Sequence, residues 1–254
     1  SQNVIDSIET VTSVWDMTSV TIDEYGTVTA SEITSFSGKN YTGTAKTDLA
    51  GMTVADTDFT ELTGESVTQN AFNAYGIQTS GTTTGQSYGE GKRLVGESYT
   101  DNTYNEYGLM IDQVSHGYSQ NVIGAVETVS SVWDMTGVTI DAYGTVTASE
   151  ITSFSGKNYT GDAKTDLAGM TVADTDFGIL TGESLTINAF DDYGVQSSGT
   201  TTGKSYGESK RLIGESYTDN VYNEYGLMTG QVSHGYSQNV IDSIETVTSV
   251  WDMT

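Results

Sequence analysis

Two acidic residues separated by one position are the strongest candidate for chemistry in this chain. The string Asp-Thr-Asp occurs once as Asp56 to Asp58 and once as Asp174 to Asp176. Because alternate side chains of an extended segment point the same way, the two carboxylates of each string could share a hard cation such as calcium. The chain has neither an EF-hand loop nor the nonapeptide pattern of calcium-binding β-rolls. A solvated acidic loop is therefore the favoured interpretation and we predict no cofactor; calcium bound by Asp56, Asp58, Asp174 and Asp176 is the alternative.

The two histidines offer little for catalysis. His116 and His234 lie in copies of one string, Val-Ser-His-Gly-Tyr-Ser-Gln-Asn, and one histidine per string builds neither a triad nor a zinc site. We expect both to be polar residues beside turns. Among 34 acidic residues, some carboxylate pair always has the spacing that glycoside hydrolysis requires, so such a pair is not diagnostic. We predict no catalytic residues and no enzyme activity.

These motifs recur at a spacing of 118 residues, which is the period of the whole sequence. Residues 1–118 and 119–236 are identical at 97 of 118 positions, with no insertion or deletion. Residues 237–254 are identical to residues 1–18. We therefore divide the chain into copy one (1–118), copy two (119–236) and the start of a third copy (237–254), and we expect the array to continue beyond both ends. Repeats of this kind bury a core by stacking on their neighbours.

The composition predicts an all-β fold. The chain contains no proline, a residue that cannot donate a hydrogen bond to a sheet ladder. Strand-like runs separated by Gly/Ser/Thr turns follow a recurring Tyr-Gly string, which is typical of hairpins. We predict an elongated tandem-repeat β-ribbon or β-solenoid-like array of antiparallel hairpins. If each copy supplies about eight strands stacked at ~4.8 Å, it advances the array by about 40 Å. The tyrosines of the Tyr-Gly strings are Tyr25, Tyr75, Tyr107, Tyr143, Tyr193 and Tyr225.

Aromatic residues at constant register are the candidate structural and interface anchors. They comprise the six tyrosines above, which we expect to form cross-strand pairs, and three tryptophans. In the run around the first tryptophan, strict alternation places Val11 and Trp15 on one face of a strand and Val14 on the other. We expect the tryptophans to lie in the core or at interfaces; they are Trp15, Trp133 and Trp251.

Residues 92–110 (KRLVGESYTDNTYNEYGLM) and their counterparts 210–228 resemble the YD repeat of Rhs proteins, teneurins and insecticidal toxin complexes. Arg93-Leu94 corresponds to the first part of that motif, and Tyr104 to Leu109 correspond to the second. Asn105 and Asn223 stand where the family has aspartate. The resemblance implies an antiparallel hairpin ribbon that coils into a spiral on a bacterial cell surface. It supplies no catalytic residues.

The net charge of −25 narrows the possible partners. Nucleic acids and anionic membrane surfaces both require lysine and arginine, and no apolar run is long enough to span a membrane. We therefore predict no nucleic-acid partner and no membrane insertion in this segment. Acidity of this degree favours solubility, repulsion between neighbouring molecules and divalent counterions. The Thr-rich, Lys-poor, cysteine-free composition fits an extracellular or bacterial cell-surface location.

The leading functional hypothesis is a structural subunit of a long extracellular fibre or surface filament. Its partners would be further copies of the chain or neighbouring repeats of the same chain. The alternative is a repetitive adhesin or stalk that presents many weak sites, for glycans among other ligands, and gains avidity from multivalency. A phage tail fibre is a third, less favoured interpretation.

Overall fold

The computed structural model describes residues 2–5, 8–52, 54–123, 125–241 and 244–253. The regular elements of this part are β-strands, together with four 3₁₀ turns of three residues each. Adjacent strands pair antiparallel and are consecutive in sequence. The prediction of an all-β fold built from antiparallel hairpins is thus confirmed. The chain divides into two compact units, unit 1 (Ser1–Gln113) and unit 2 (Val114–Thr254).

Unit 1 contains a small hairpin followed by a meander. The hairpin pairs β1 with β2. The meander begins at β3, and each strand from β4 to β7 pairs with the strand before it. The strands are β1 (Gln2–Ile5), β2 (Ile8–Val11), β3 (Ser13–Ile22), β4 (Val28–Tyr41), β5 (Phe59–Phe72), β6 (Gln78–Gly89) and β7 (Arg93–Tyr104).

Unit 2 repeats this meander. The next strand, β8 (Met110–Ile123), begins in unit 1 and continues into unit 2. Within unit 2 each strand again pairs with the one before it. The other strands are β9 (Val126–Ile140), β10 (Val146–Tyr159), β11 (Phe177–Phe190), β12 (Gln196–Tyr206), β13 (Leu212–Tyr222), β14 (Met228–Ile241) and β15 (Ile244–Met253).

In the described part of the chain, one 118-residue period contains six strands, β4 to β9, and the same six recur as β10 to β15. The expected number of about eight was wrong for two reasons. The strands from β4 to β9 are 12 to 15 residues long, which is longer than the usual five or six. In addition, residues 42–52, 54 and 55 form no strand.

Each Tyr-Gly string forms a tight turn that is closed by the Asp or Asn two positions before the tyrosine. In the first turn, Asp23 Oδ1 accepts the backbone N–H groups of Tyr25 at 2.9 Å and Thr27 at 2.8 Å. Gly26 has a φ of 86°, in the left-handed region that glycine adopts without steric cost. The same bonds recur in the turns of Asn73, Asn105, Asp141, Asp191 and Asn223. Because these tyrosine turns join alternate strand pairs, those of one unit lie along one edge of its sheet.

A β-bulge changes which side chains share a face. Gln120 pairs with Val129 and Ser119 pairs with Ser131, so Ser130 is the extra residue. Such an extra residue shifts the alternation of the strand by one position. As a result Val129 and Val132 face the same core, and so do their counterparts Val11 and Val14 in unit 1. The strict alternation expected for Val11 and Val14 was therefore wrong.

Each unit has a small hydrophobic core on one face of its sheet. Both cores contain the first and fourth residues of β5 or β11 and the two valines of the bulged strand. Gly156 lets Phe177 approach the sheet, since a Cβ at this glycine would lie 2.7 Å from Phe177 Cγ and 2.4 Å from the Ile179 carbonyl oxygen. The core of unit 1 consists of Val11, Val14, Phe59 and Leu62; that of unit 2 contains Tyr118, Val129, Val132, Ala163, Met170, Phe177 and Leu180.

Candidate functional site

The segment between β10 and β11 folds back over the sheet, and we name residues 160–173 the cover loop of unit 2. Its start is fixed by Tyr159, whose Oη accepts the Ala163 N–H at 3.3 Å. Its end is fixed by the Thr160 N–H, which donates to the Asp176 carbonyl at 2.8 Å. Tyr159 also contacts the ring of Phe177, with ring centroids 5.1 Å apart. The two ends of the loop are thus held together, and its middle part packs against the sheet.

The cover loop of unit 2 closes over the junction between the two sequence copies. Tyr118 is the last residue of copy one and is only 2% exposed. It packs with Val129 and Val132 of β9 and with Ala163 and Met170 of the cover loop, all of which belong to copy two. The best-buried cluster of unit 2 is therefore built from both copies.

His116 fastens the cover loop to β8. Its Nε2 lies 2.6 Å from the Leu167 carbonyl oxygen, and because a carbonyl can only accept, this contact requires a proton on Nε2. The imidazole is 4% exposed and lies opposite Asp134 in the β8–β9 register. Burial raises the pKa of Asp134, while the neighbouring His116 partly opposes that shift.

The expectation that both histidines lie beside turns was wrong: His116 is buried in the middle of β8, and His234 lies in the middle of β14. The contact that gives His116 its role joins residues 51 positions apart, so no local pattern reveals it. The burial of His116 could have been predicted from Tyr118. This large side chain is two positions away in the strand and therefore lies on the same face.

The Asp-Thr-Asp strings form 3₁₀ turns rather than extended segments, so their two carboxylates are used separately. Asp58 Oδ2 accepts the Ala55 N–H at 3.1 Å, whereas Asp56 pairs with Lys92 Nζ. The hydrogen bond from Lys92 holds the pKa of Asp56 below its ordinary value and raises the pKa of Lys92. In unit 2, Asp174 pairs with Lys210 and Asp176 Oδ2 accepts the Ala173 N–H at 2.9 Å.

Within the described ranges, no group of three or more acidic, histidine or cysteine side chains is arranged to hold a metal ion. A cation at the Asp-Thr-Asp string of copy one would have to displace Lys92 from Asp56, and one at the string of copy two would have to displace Lys210 from Asp174. Calcium binding by these four aspartates stays a prediction, and its cost includes breaking an ion pair in each copy.

A second charged cluster lies beside each acidic turn and differs between the copies. In unit 2, Lys204 Nζ lies 2.7 Å from Glu183 Oε1, and this hydrogen bond lowers the pKa of Glu183. Copy one has Gln86 in place of the lysine, and Gln86 Nε2 instead donates to Glu97 Oε1 at 2.6 Å. Burial, with a contribution from Glu65, raises the pKa of Tyr88 to about 12. Both copies therefore have a polar network beside the acidic turn, but the network of copy two contains a lysine where that of copy one contains a glutamine.

The predicted aromatic anchors lie at the surface. The six tyrosines of the tyrosine turns are 75–89% exposed, and they sit at hairpin tips rather than in cross-strand pairs. Trp15 is 59% exposed, Trp251 is exposed and Trp133 is half-buried. The structure therefore places none of these side chains in a core, and the tyrosine pairing that we expected was wrong. Their role as interface anchors stays a prediction.

Comparisons with known proteins identify no family. No known protein family matches the chain, and no curated protein matches it. Similar solved structures include a protein of unknown function from Bacteroides fragilis, which is 7% identical with a TM-score of 0.20, the match covering 65% of this chain and 86% of that one. A porin-like protein from Bacteroides uniformis is 8% identical with a TM-score of 0.20, over 73% of this chain and 92% of that one. At these scores neither similarity bears on function.

A search of the described residues for a helix long and apolar enough to cross a membrane found none.

Proposed function

We propose that the chain is a structural subunit of a long extracellular fibre or surface filament. The observation that carries this proposal is the cluster at the copy junction, where Tyr118 of copy one is buried beneath the cover loop of copy two. Adjacent copies that share a core gain stability from each other, which is the property that makes a tandem array cohere. A catalytic role has no comparable support, and it is not part of the proposal.

The strand order also suits an array that lengthens by adding copies. From β8 to β15 each strand pairs with the strand before it, so a further copy can be added without rearranging existing pairs. If the strands of a fibre stack perpendicular to its axis, six strands at ~4.8 Å advance it by about 29 Å for each copy. The extracellular location rests on composition and on the resemblance to YD repeats.

Cryo-electron microscopy of a multi-repeat chain, with calcium or with EDTA, tests the proposal. We expect filaments with a regular axial period that corresponds to 118 or 236 residues. Loss of the filaments in EDTA would add calcium to the mechanism. Slender single molecules in both conditions, or flexible chains of separate beads, would contradict the fibre proposal.

The exposed tyrosines favour a second candidate, a multivalent adhesin or stalk. Tyr25 and Tyr75 in unit 1, and Tyr143 and Tyr193 in unit 2, stand at hairpin tips along one edge of their sheets with most of each ring in solvent. Aromatic rings presented in a row can stack on sugars or on a protein partner. Glycan-array binding that is lost when the tyrosines of one unit are changed to alanine would support this candidate. A chain that binds no glycan or cell surface would exclude it.

A further inference from the structure

The tyrosine turns of each unit pack against one another along the edge of the sheet. In unit 1, a Cβ built on Gly76 would lie 3.3 Å from Thr27 Cγ2 of the preceding tyrosine turn, and one built on Gly108 would lie 3.2 Å from Ile77 Cγ2. The corresponding distances in unit 2 are also 3.3 and 3.2 Å. Neighbouring turns are therefore in contact at these glycines and form a continuous surface.

The interval between the tyrosines along this edge follows from the strand order. Successive tyrosine turns of a unit join alternate strand pairs, so they lie two strands apart, which corresponds to ~9.6 Å. Each unit thus presents three tyrosine rings, 75–89% exposed, at a constant interval. We name them the tyrosine row of the unit: Tyr25, Tyr75 and Tyr107 in unit 1, and Tyr143, Tyr193 and Tyr225 in unit 2.

The groups beside the rings are acidic or neutral. The residue before the tyrosine is exposed in all six turns, and in four of them it is a carboxylate: Glu24, Glu106, Asp192 and Glu224. From the closing Asp or Asn to the residue after the glycine, the sequences of the six turns contain no lysine or arginine. Carboxylates accept hydrogen bonds from hydroxyl groups and repel anions. The tyrosine row therefore suits a neutral, hydroxyl-rich ligand and not an anionic polymer.

A β-1,4-linked glycan matches both the interval and the chemistry of the row. Its equatorial linkages give an extended ribbon in which every second sugar presents the same face, and one disaccharide is about as long as two strand spacings. The C–H groups on the face of a pyranose ring stack on the electron-rich face of an aromatic ring. An α-1,4-linked glucan coils instead, so its sugars do not return to the same face at this interval.

We propose that the tyrosine row of each unit binds a single chain of a neutral β-1,4-linked glycan, with one tyrosine stacked on every second sugar. This inference rests on the adhesin that is the second candidate function, and it specifies the class of ligand. Because neighbouring strands of a sheet are rotated relative to one another, the row follows a twisted edge. A single glycan chain can follow such an edge, whereas the flat face of a crystalline polysaccharide contacts fewer rings.

Binding should strengthen with the length of the oligosaccharide. Isothermal titration calorimetry of the whole chain tests this with cello-oligosaccharides and, separately, with N-acetylchito-oligosaccharides of two, four and six sugars. Each added disaccharide reaches one further tyrosine, so we expect the association constant to rise about tenfold at each step. The series that binds more tightly identifies the sugar. Maltohexaose, which has α-1,4 linkages, should bind no better than maltose.

Two matched double variants distinguish the row from other aromatic surfaces. In Y75A/Y193A each row loses its middle ring, so the tetrasaccharide should bind no better than the disaccharide, while the hexasaccharide still reaches both outer rings. In Y25A/Y143A each row loses an end ring, so the tetrasaccharide keeps its advantage and the hexasaccharide should bind no better than the tetrasaccharide. The four side chains are exposed, so both variants should keep the circular dichroism spectrum of the parent chain.

The possible failures are distinguishable. Affinity that does not depend on length, an equal gain with maltohexaose, or an unchanged length dependence in both double variants would overturn the inference. Binding to other glycans or to cells, with none to either β-1,4-linked series, would overturn the ligand class and leave the adhesin candidate standing. A chain that binds no glycan and no cell surface would overturn both. Cryo-electron microscopy decides the fibre proposal independently.

Discussion

At the residue scale, the tyrosine turns explain why the sequence uses Asp and Asn interchangeably at one position. Asp23 and Asn105 both use only Oδ1, which accepts two backbone N–H groups at 2.8–3.0 Å. An amide oxygen and a carboxylate oxygen can both do this. Asn105 therefore closes its turn in the same way as Asp23, without a negative charge.

The turn between β12 and β13 contains avoidable backbone strain. Ser209 has a φ of 59°, whereas its counterpart Gly91 has a φ of 69° with nothing within 4 Å of a built Cβ. Any difference in stability between serine and glycine at this position therefore comes from the backbone conformation and not from steric crowding. Glycine at position 209 removes the cost of a left-handed residue, but it also adds conformational entropy to the unfolded chain. We therefore expect S209G to gain about 0.5–1 kcal/mol of unfolding free energy. Urea unfolding should show this gain for S209G, a matching loss for G91S and no gain for S209A, since alanine keeps the Cβ.

The ion pair between Asp174 and Lys210 predicts a pH dependence of defined sign. The hydrogen bond from Lys210 lowers the pKa of Asp174 in the folded chain, below the unfolded value of about 4. The pair therefore stabilises the fold above about pH 4, and this contribution is lost as the pH falls through the folded pKa. In K210Q, a carboxyl NMR titration should find the pKa of Asp174 raised towards its ordinary value. K164Q removes a lysine that contacts Glu127 instead and should leave Asp174 unchanged; equal titration in both variants would contradict the assignment.

At the element scale, the cover loop buries β8 at Tyr118 more deeply than β14 is buried at Tyr236, although the two strands match closely in sequence. Tyr118 is buried under a cover loop, and Tyr236 is half-buried with its Oη donating to Glu215 at 2.6 Å. Truncation of a large buried aromatic costs about 3–5 kcal/mol. We expect Y118A to lose about 3 kcal/mol of unfolding free energy, and Y236A about 1 kcal/mol.

This comparison should be made by guanidinium unfolding at concentrations where the chain is monomeric, because association would add its own contribution to the stability. Equal losses for Y118A and Y236A under those conditions would show that the cover loop adds no burial at the junction.

The sequence predicts the strands of this fold much better than it predicts their contacts. Hairpins were predictable because the Tyr-Gly strings and the absence of proline act within a few residues. The shared face of Val129 and Val132 was not, since one unpaired serine reverses the alternation. The closure of the cover loop over His116 and Tyr118 was not predictable either, because the loop is distant from them in sequence.

At the scale of the whole molecule, charge should control lateral association. The net charge is −25 and the isoelectric point is about 4.1, so neighbouring molecules repel each other at neutral pH. Light scattering should therefore rise with sodium chloride as the Debye length falls below about 10 Å. Calcium at the same ionic strength distinguishes screening from site binding. An equal response to both salts would exclude the predicted calcium site at the Asp-Thr-Asp strings.

The even number of strands in each copy has a consequence for how such a sequence can change. If copies were added in the antiparallel order that β8 to β15 show within unit 2, six strands would return the chain to its starting direction. Every added copy would then present its tyrosine turns on the same edge and its cover loop on the opposite one. Gain or loss of whole copies by recombination would therefore alter the length of the product and leave its two edges unlike each other. An odd number of strands would have exchanged the edges at every duplication. Because the number of strands in each copy is even, a change in the number of copies would not change which groups each edge of such an array presents.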